Sequence, residues 1–412
     1  MSLRVLISSI DHEQRIMIDK SLKVRKDEDT KWIYPYRIEG DYVYLPFHYA
    51  LQLGYTSPNR TELVSTSYKT DITLRDYQKA VFKRAIKQLK KSSSVVLAVH
   101  VGWGKTMTAI KMIGKIGLKS VVLVNRVVLA KQWLKAIESV TDCRVGIVGS
   151  GDSIENLDVI IINAGNVHKL TGWDRVGCVV VDELHLIAAA QLHQAMYHLT
   201  PRYLIGLSAT PFRPDGLDKL ISFYYDMKHH IHEPLKRDHT VYLIKTGLEL
   251  PFTLQMTGKI NWNSLLNSQA EHSERNEMIT RIITKHAERN FLVLCKRKSQ
   301  AETLYQLLIS AGTTATRLFG TKSDYDESAR VVLATSQKCG VGFSHDKLDA
   351  LIIAADVEEY FIQYLGRVFR TPDVEPIVFD LVDEYRTLKR HWQTRRKVYM
   401  EAGGTIVTNY KL

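Results

Sequence analysis

Between positions 95 and 106 the chain reads VVLAVHVGWGKT, and no other stretch restricts its fold as strongly. A run of β-branched and aliphatic residues breaks at Gly102-Trp103-Gly104-Lys105-Thr106. Met107, Ile110, Ile113 and Ile116 then recur about one helical turn apart. Strand, glycine turn and helix in that order build a phosphate cradle. The glycines let backbone N–H groups approach an anion, and the helix N-terminus adds its positive dipole end. Lys105 is placed to reach the β- and γ-phosphates of a nucleotide, and the Thr106 hydroxyl to ligate Mg²⁺. The strict pattern has glycine at position 99, where this chain has Val99. On this stretch alone, an ordinary βα turn with a surface lysine stays open.

A length of 412 residues implies two or three domains. Hydrophobic residues at 45% and charged residues at 24% are those of a soluble globular protein. No uncharged apolar stretch approaches a membrane span, and the N-terminal RVLISSI is too short for a signal peptide. A formal charge of +12 favours a polyanionic partner, nucleic acid above others, although a basic surface also aids solubility. Cys143, Cys178, Cys295 and Cys339 form no CxxC pair and read as free thiols in a reducing compartment.

Residues 1–70 read as a small α+β accessory domain: RVLIS a strand, DHEQRIMIDKSLKV a helix, YPYRIEGDYVYLPF a hairpin turning at Gly40-Asp41. Its Tyr34, Tyr36, Tyr42, Tyr44 and Phe47 offer either a stacking surface for bases or half-buried sheet. The following TSPNRTELVSTSYKTD is polar and turn-rich, as a linker would be. From Leu74 the texture becomes alternating β and α, with strands at VVLAVH, SVVLVN, CRVGIVG, VIIIN, CVVVDE and YLIGLSA. Near-continuous apolar strands joined by crossover helices mean a parallel sheet covered on both faces, here a domain over 71–225. The polar, histidine-rich stretch from Asp215 to about Thr240 suits a hinge. A second series (TVYLIK, NFLVLCK, TTATRLFG, RVVLATS, DALIIAA, PIVFDLV) predicts another such domain over 240–412.

In CVVVDELHL, residues 178–186, a hydrophobic strand ends in two acids. That puts Asp182 and Glu183 at the C-terminal edge of a parallel sheet, where such folds bind ligands. Asp182 suits Mg²⁺ held through its water shell, and Glu183 suits orienting or deprotonating an attacking water.

GWGKT, the DELH tetrad, Ser208-Ala209-Thr210 and QYLGRVFR (363–370) occur in the order of a superfamily 2 DExH helicase, which the chain resembles over roughly residues 74–385. RYLIGLSATPFRPDG and the SERN segment resemble the large-DNA-virus and phage branch, which includes the poxvirus transcript-release helicase and the phage branched-DNA helicase UvsW. The resemblance implies an α/β fold of two RecA-like domains in tandem, with the accessory domain in front, and ATP and Mg²⁺ as cofactors.

The resemblance also assigns roles. LRDYQ makes Gln78 a candidate for adenine contact. VVLVNRVVLAKQW resembles a motif whose loop lies along the nucleic-acid backbone, making Arg126 and Lys131 phosphate contacts; Asn125 stands where proline is usual. His100 and Val101 replace a common Pro-Thr pair. ATSQKCGVGFS resembles a backbone-reading loop, with Thr335, Gly340 and Gly342 as contacts; Ser344 stands where relatives carry an acid nearby. Arg367 and Arg370, three residues apart on one predicted helix, would bring guanidinium charge to the transferring phosphoryl group as a cleft closes. Gln363, on the same face, would sense the γ-phosphate. His185, Ser208 and Thr210 read as coupling groups.

His229, His230, His232 and His239 lack the spacing of a closed zinc site. In the C-terminal stretch, Tyr385, Leu388, Trp392 and Tyr399 interleave with Arg386, Lys389, Arg390, Arg395, Arg396 and Lys397. Such a helix either lines a nucleic-acid path or packs with its basic stems snorkelling.

The expected function is an ATP-dependent helicase or translocase on DNA more than RNA, at branched DNA, R-loops or transcription complexes. By resemblance its movement is 3′→5′. A translocase that displaces transcripts or proteins without separating strands, and a scaffold with a vestigial ATPase, are the alternatives. The expected setting is the cytoplasm, nucleoid or viral factory, as a monomer in contact with transcription or recombination machinery and with no membrane.

Overall fold

The computed structural model describes residues 1–25, 32–187, 195, 197–212, 217–320, 325–339, 345–357, 362–369 and 374–411, and divides into two compact units, Met1–Glu233 and Pro234–Leu412.

The first unit opens with β1 (Ser2–Leu6), α1 (His12–Ser21), β2 (Arg37–Glu39), β3 (Tyr42–Pro46) and α2 (Phe47–Gln52). Helix α1 starts where Asp11 accepts from the Gln14 N–H at 2.7 Å, a reciprocal capping box. The strands form an antiparallel sheet in the order β1-β3-β2, and the β2–β3 hairpin turns at Gly40, whose φ is +57°. Leu3, Val5, Val43 and Leu45 face inward while Arg4, Tyr42 and Tyr44 face the other way, as the pleat requires. Phe47 is fully buried, which removes it from any stacking surface; Tyr34 is half exposed. The segment that reads as a linker packs within the first unit, against its large sheet domain. It makes bridges Ser65↔Leu118 and Thr70↔Thr141, and Arg60 Nη2 donates to the Ile116 carbonyl at 2.8 Å.

The chain continues through α3 (Asp76–Ser92), β4 (Ser94–Val99), α4 (Lys105–Ile116), β5 (Ser120–Val124), α5 (Val127–Glu138), β6 (Val145–Val148), β7 (Val159–Asn163), β8 (Cys178–Val181), α6 (Leu184–Ile187), β9 (Tyr203–Ser208), α7 (Asp218–Tyr224) and β10 (Ile231–Glu233). The seven strands are all parallel, in the order β10-β4-β9-β8-β5-β7-β6. β4, β5 and β8 are buried throughout, which is why they read as unbroken apolar runs. One continuous core joins Leu45 and Phe47 through Leu220, Phe223 and Tyr224 to Val121 and Ile160. The expected hinge is therefore partly structural. Leu220, Ile221, Phe223 and Tyr224 are buried on α7, and β10 gains backbone pairing with β4 despite its polar sequence.

The second unit holds β11 (His239–Lys245), α8 (Trp262–Glu271), α9 (Ser273–Lys285), β12 (Phe291–Cys295), α10 (Lys298–Ser310), β13 (Ala315–Leu318), β14 (Val331–Thr335), α11 (Ser336–Cys339), β15 (Ala350–Ile353), α12 (Ile362–Val368), β16 (Ile377–Val382), α13 (Arg386–Glu401) and β17 (Gly404–Val407). Its strands are also all parallel, ordered β13-β14-β12-β15-β16-β11-β17. The seventh strand, β17, has no counterpart among the six expected. The fold is thus two tandem RecA-like parallel sheets with a small antiparallel N-terminal sheet.

Of the two readings of the C-terminal helix, packing holds for its apolar stripe. Leu388, Trp392 and Tyr399 are buried, and so is Arg395, while Lys389, Arg390, Arg396 and Lys397 are exposed. Cys178, Cys295 and Cys339 are buried and Cys143 is half-buried; burial pushes Cys178 and Cys295 up to about 12.

Candidate active site

The glycine turn lies between β4 and α4 with Gly102 at φ +81° and Gly104 at φ +98°, left-handed values that suit glycine. At Gly104 a Cβ would fall 2.2 Å from Gln78 Nε2, so any side chain there would displace the Gln78 amide as well as strain the backbone. Trp103 is buried and Tyr77 packs edge-on against it, ring centroids 5.5 Å apart. The loop thus carries an anchor where the family pattern allows almost any residue. Gln78 is buried with its amide bridging two backbones: Oε1 accepts from the Arg75 N–H at 2.9 Å and Nε2 donates to the Trp103 carbonyl at 2.9 Å. In this geometry Gln78 braces the turn.

Lys105 and Thr106 open α4, with Thr106 half-buried. Lys105 Nζ is buried and makes no hydrogen bond, with Glu183 Oε1 4.0 Å away. A buried ammonium without hydrogen bonds is costly unless an anion completes it. The phosphates of a nucleotide would supply such an anion, so the lysine fits that group.

Asp182 and Glu183 follow β8 at its C-terminal end, two strands from β4 across β9. Asp182 is buried; Oδ2 accepts from Trp133 Nε1–H at 2.8 Å and Oδ1 from the Glu183 N–H at 3.0 Å. Burial first, then the Glu183 charge, pushes the Asp182 carboxyl up to about 6, against the pull of the Trp133 bond and Lys105. Glu183 adopts φ +48°, which for a residue with a side chain stores about 1–3 kcal/mol. Its Oε2 is buried without a hydrogen bond, and so is Asn125 Oδ1 just beyond β5, the strand beside β8. Thr106 and Asp182 are the residues suited to Mg²⁺. Among the described residues, no group of three or more His, Cys, Asp or Glu side chains forms a metal site of the protein alone.

Behind the acids, His185 Nδ1 lies 2.9 Å from Ser208 Oγ and 3.6 Å from Glu183 Oε2. The Thr210 N–H donates to Ser208 Oγ at 3.1 Å. The three expected coupling residues thus form a chain from the acid pair to the end of β9. Arg126 caps α5 and is exposed, as is Lys131 one turn on; Val127 and Val128 beside them are also exposed. Sequence reading missed Trp133, whose apolar spacing reads as core. The available signal was chemical: a buried indole N–H needs an acceptor.

In the second unit Gln363 and Arg367 are buried on α12, and Tyr364 on the same helix donates to the Ser336 carbonyl at 3.1 Å. Thr335 ends β14, buried. Arg370, Gly340, Gly342 and Ser344 lie outside the described residues. Of the histidines, His229 Nδ1 pairs with Asp226 at 2.7 Å, His230 Nδ1 with the Met227 carbonyl at 2.8 Å, and His239 Nδ1 with the Arg237 carbonyl at 2.7 Å.

Residues 71–213 match the family described as "Type III restriction enzyme, res subunit". The chain is 36% identical over 444 residues to the 161L protein of Invertebrate iridescent virus 6, which carries the name of a helicase; both chains are covered completely. The 055L protein of Frog virus 3, also named as a helicase, is 29% identical over 377 residues, covering 89% of this chain and 86% of its own. The solved structure of S. cerevisiae Dbp5 bound to RNA and ADP BeF3 shares the fold with a TM-score of 0.58 at 14% identity, over 80% of this chain and 89% of that one.

Proposed function

The chain belongs to the superfamily 2 helicases, in the family of the iridescent-virus helicases, and on that premise we propose that it is an ATP-driven motor that tracks DNA 3′→5′. Its place is in the large-DNA-virus and phage branch that RYLIGLSATPFRPDG and SERN resemble. The observation that carries the reading is the Lys105 ammonium, buried without a hydrogen bond and faced by Glu183 at the mouth of a glycine turn.

In this mechanism Lys105 and the backbone N–H groups of the turn bind the phosphates of ATP. Thr106 and Asp182 would hold Mg²⁺, which supplies charge neutralisation on the phosphate oxygens. Glu183 orients the attacking water and takes its proton. Arg367 and Arg370 supply guanidinium charge to the transferring phosphoryl group, and Gln363 responds to the γ-phosphate. Arg126, Lys131, Thr335, Gly340 and Gly342 meet the strand backbone, so binding is sequence-tolerant and weakens steeply with salt. The test compares phosphate release stimulated by single-stranded DNA, branched DNA, RNA–DNA hybrid and RNA at matched salt. The proposal expects the DNA substrates to lead, and RNA stimulating best would overturn the DNA assignment.

A further inference from the structure

We infer that Trp133 is a positioning residue that ties the strand-facing end of α5 to Asp182, so that nucleic acid held at Arg126 sets the geometry in which ATP turns over. The inference rests on the reading above that Asp182 serves Mg²⁺ and Arg126 meets the strand.

Helix α5 has two ends of different character. Its start presents exposed Arg126, Val127 and Val128, while Leu129, Ala130, Trp133 and Ile137 bury along one face. Arg126 and Trp133 are seven residues apart on this one helix, about 10 Å along the axis. A shift at the start of a short rigid helix is therefore transmitted to Trp133 rather than absorbed between them. An apolar stripe would be filled as well by Phe or Leu. Trp133 instead directs its only polar atom, Nε1, to Asp182 Oδ2 at 2.8 Å, with both side chains buried. The other Asp182 oxygen is fixed by the neighbouring Glu183 N–H at 3.0 Å. The carboxylate is thus oriented from one side by its own backbone and from the other by α5. Partners of this kind behind a metal-binding carboxylate typically carry about 10–100-fold in metal affinity or activity.

Trp133→Phe keeps the ring and removes the donor. The experiment measures ATP turnover with and without single-stranded DNA, the affinity for Mg²⁺ with a fluorescent ADP, and the melting temperature. Expected is a loss of about 10-fold in the DNA-stimulated kcat and in Mg²⁺ affinity, with KM for ATP and the melting temperature close to wild type. Stimulation and Mg²⁺ affinity equal to wild type would overturn the inference. So would an equal fall of basal and stimulated rates together with a lowered melting temperature, the mark of a merely structural tryptophan. Should the variant not fold, the indole N–H resonance of Trp133 in the wild-type protein decides. Movement on adding single-stranded DNA without nucleotide supports the coupling, and no movement overturns it. If no nucleic acid stimulates the wild type, the functional reading itself falls; if DNA stimulates wild type and Trp133→Phe alike, only the coupling does.

Discussion

The described acids at the C-terminal edges of the two large sheets are held in opposite ways. Among the described residues, Asp356 beyond β15, Asp380 within β16 and Asp383 beyond β16 are each matched. Asp356 accepts from Arg395 at 2.9 Å and His391 at 2.6 Å; Asp380 accepts twice from Arg395 at 2.8 Å and from Tyr399 at 2.9 Å. Asp383 accepts from Arg275 at 2.9 Å, Gln269 at 2.7 Å and Thr246 at 2.8 Å. At the edge of the first sheet, Lys105 Nζ, Glu183 Oε2 and Asn125 Oδ1 are all buried without a hydrogen bond. The same contrast appears in proton affinity. Burial and the Glu183 charge push Asp182 up to about 6, whereas at Asp356 burial is outweighed by the His391 bond and the Arg395 charge, which hold its carboxyl below its ordinary value. Charge at a sheet edge does not by itself mark a site. What sets the first edge apart is an ammonium and a carboxylate left without hydrogen bonds 4.0 Å apart beside a glycine turn, a gap that an anionic ligand with its cation would complete.

This comparison can be broken at several points. The largest effect is expected on stability at the matched edge. Arg395→Met leaves Asp356 and Asp380 buried without their cation and should cost about 3–5 kcal/mol by urea unfolding. At the incomplete edge, Glu183→Gln should lower turnover by roughly 10²-fold or more while fluorescent ATP still binds; equal loss of binding would count against a role in activating water. Asp182→Asn should stabilise the nucleotide-free protein. A carboxyl whose folded value is raised from 3.8 to about 6 costs stability fully above pH 6 and none below about pH 4. The variant should therefore melt above wild type at pH 8 and level with it at pH 4. A constant gap across that range would show that proton linkage is not the cause. The smallest effect is expected for Thr246→Val, which removes one of several donors to Asp383 and should cost about 1–2 kcal/mol with turnover unchanged.

Much of this edge chemistry was legible in the sequence because it is written in local order: a buried strand, a glycine turn and GKT, then another buried strand ending in Asp182 and Glu183. Period and composition locate such units without tertiary knowledge. What sequence did not reveal depends on partners distant along the chain. Trp133 and Leu129 share one apolar stripe, and only the fold separates the indole aimed at Asp182 from a core filler. Arg395 reads as one of six basic residues on an interleaved helix, yet it is the one buried against two acids. Arg275 and Asn276 of SERN are likewise buried, bonded to Asp383 and the Ala270 carbonyl. Within the expected hinge, which holds the boundary between the two units at Glu233 and Pro234, β10 is not legible because a three-residue strand is held by β4 rather than by its own residues.

Phosphate release by Lys105→Ala tests the central claim most directly, measured beside wild type with and without single-stranded DNA. If the Lys105 ammonium, buried without a hydrogen bond, exists to hold ATP, the variant keeps its fold and its melting temperature, and hydrolysis falls to background with or without DNA. Hydrolysis persisting at the wild-type, DNA-stimulated rate would contradict the account, because the cation at the glycine turn would then have no part in the reaction.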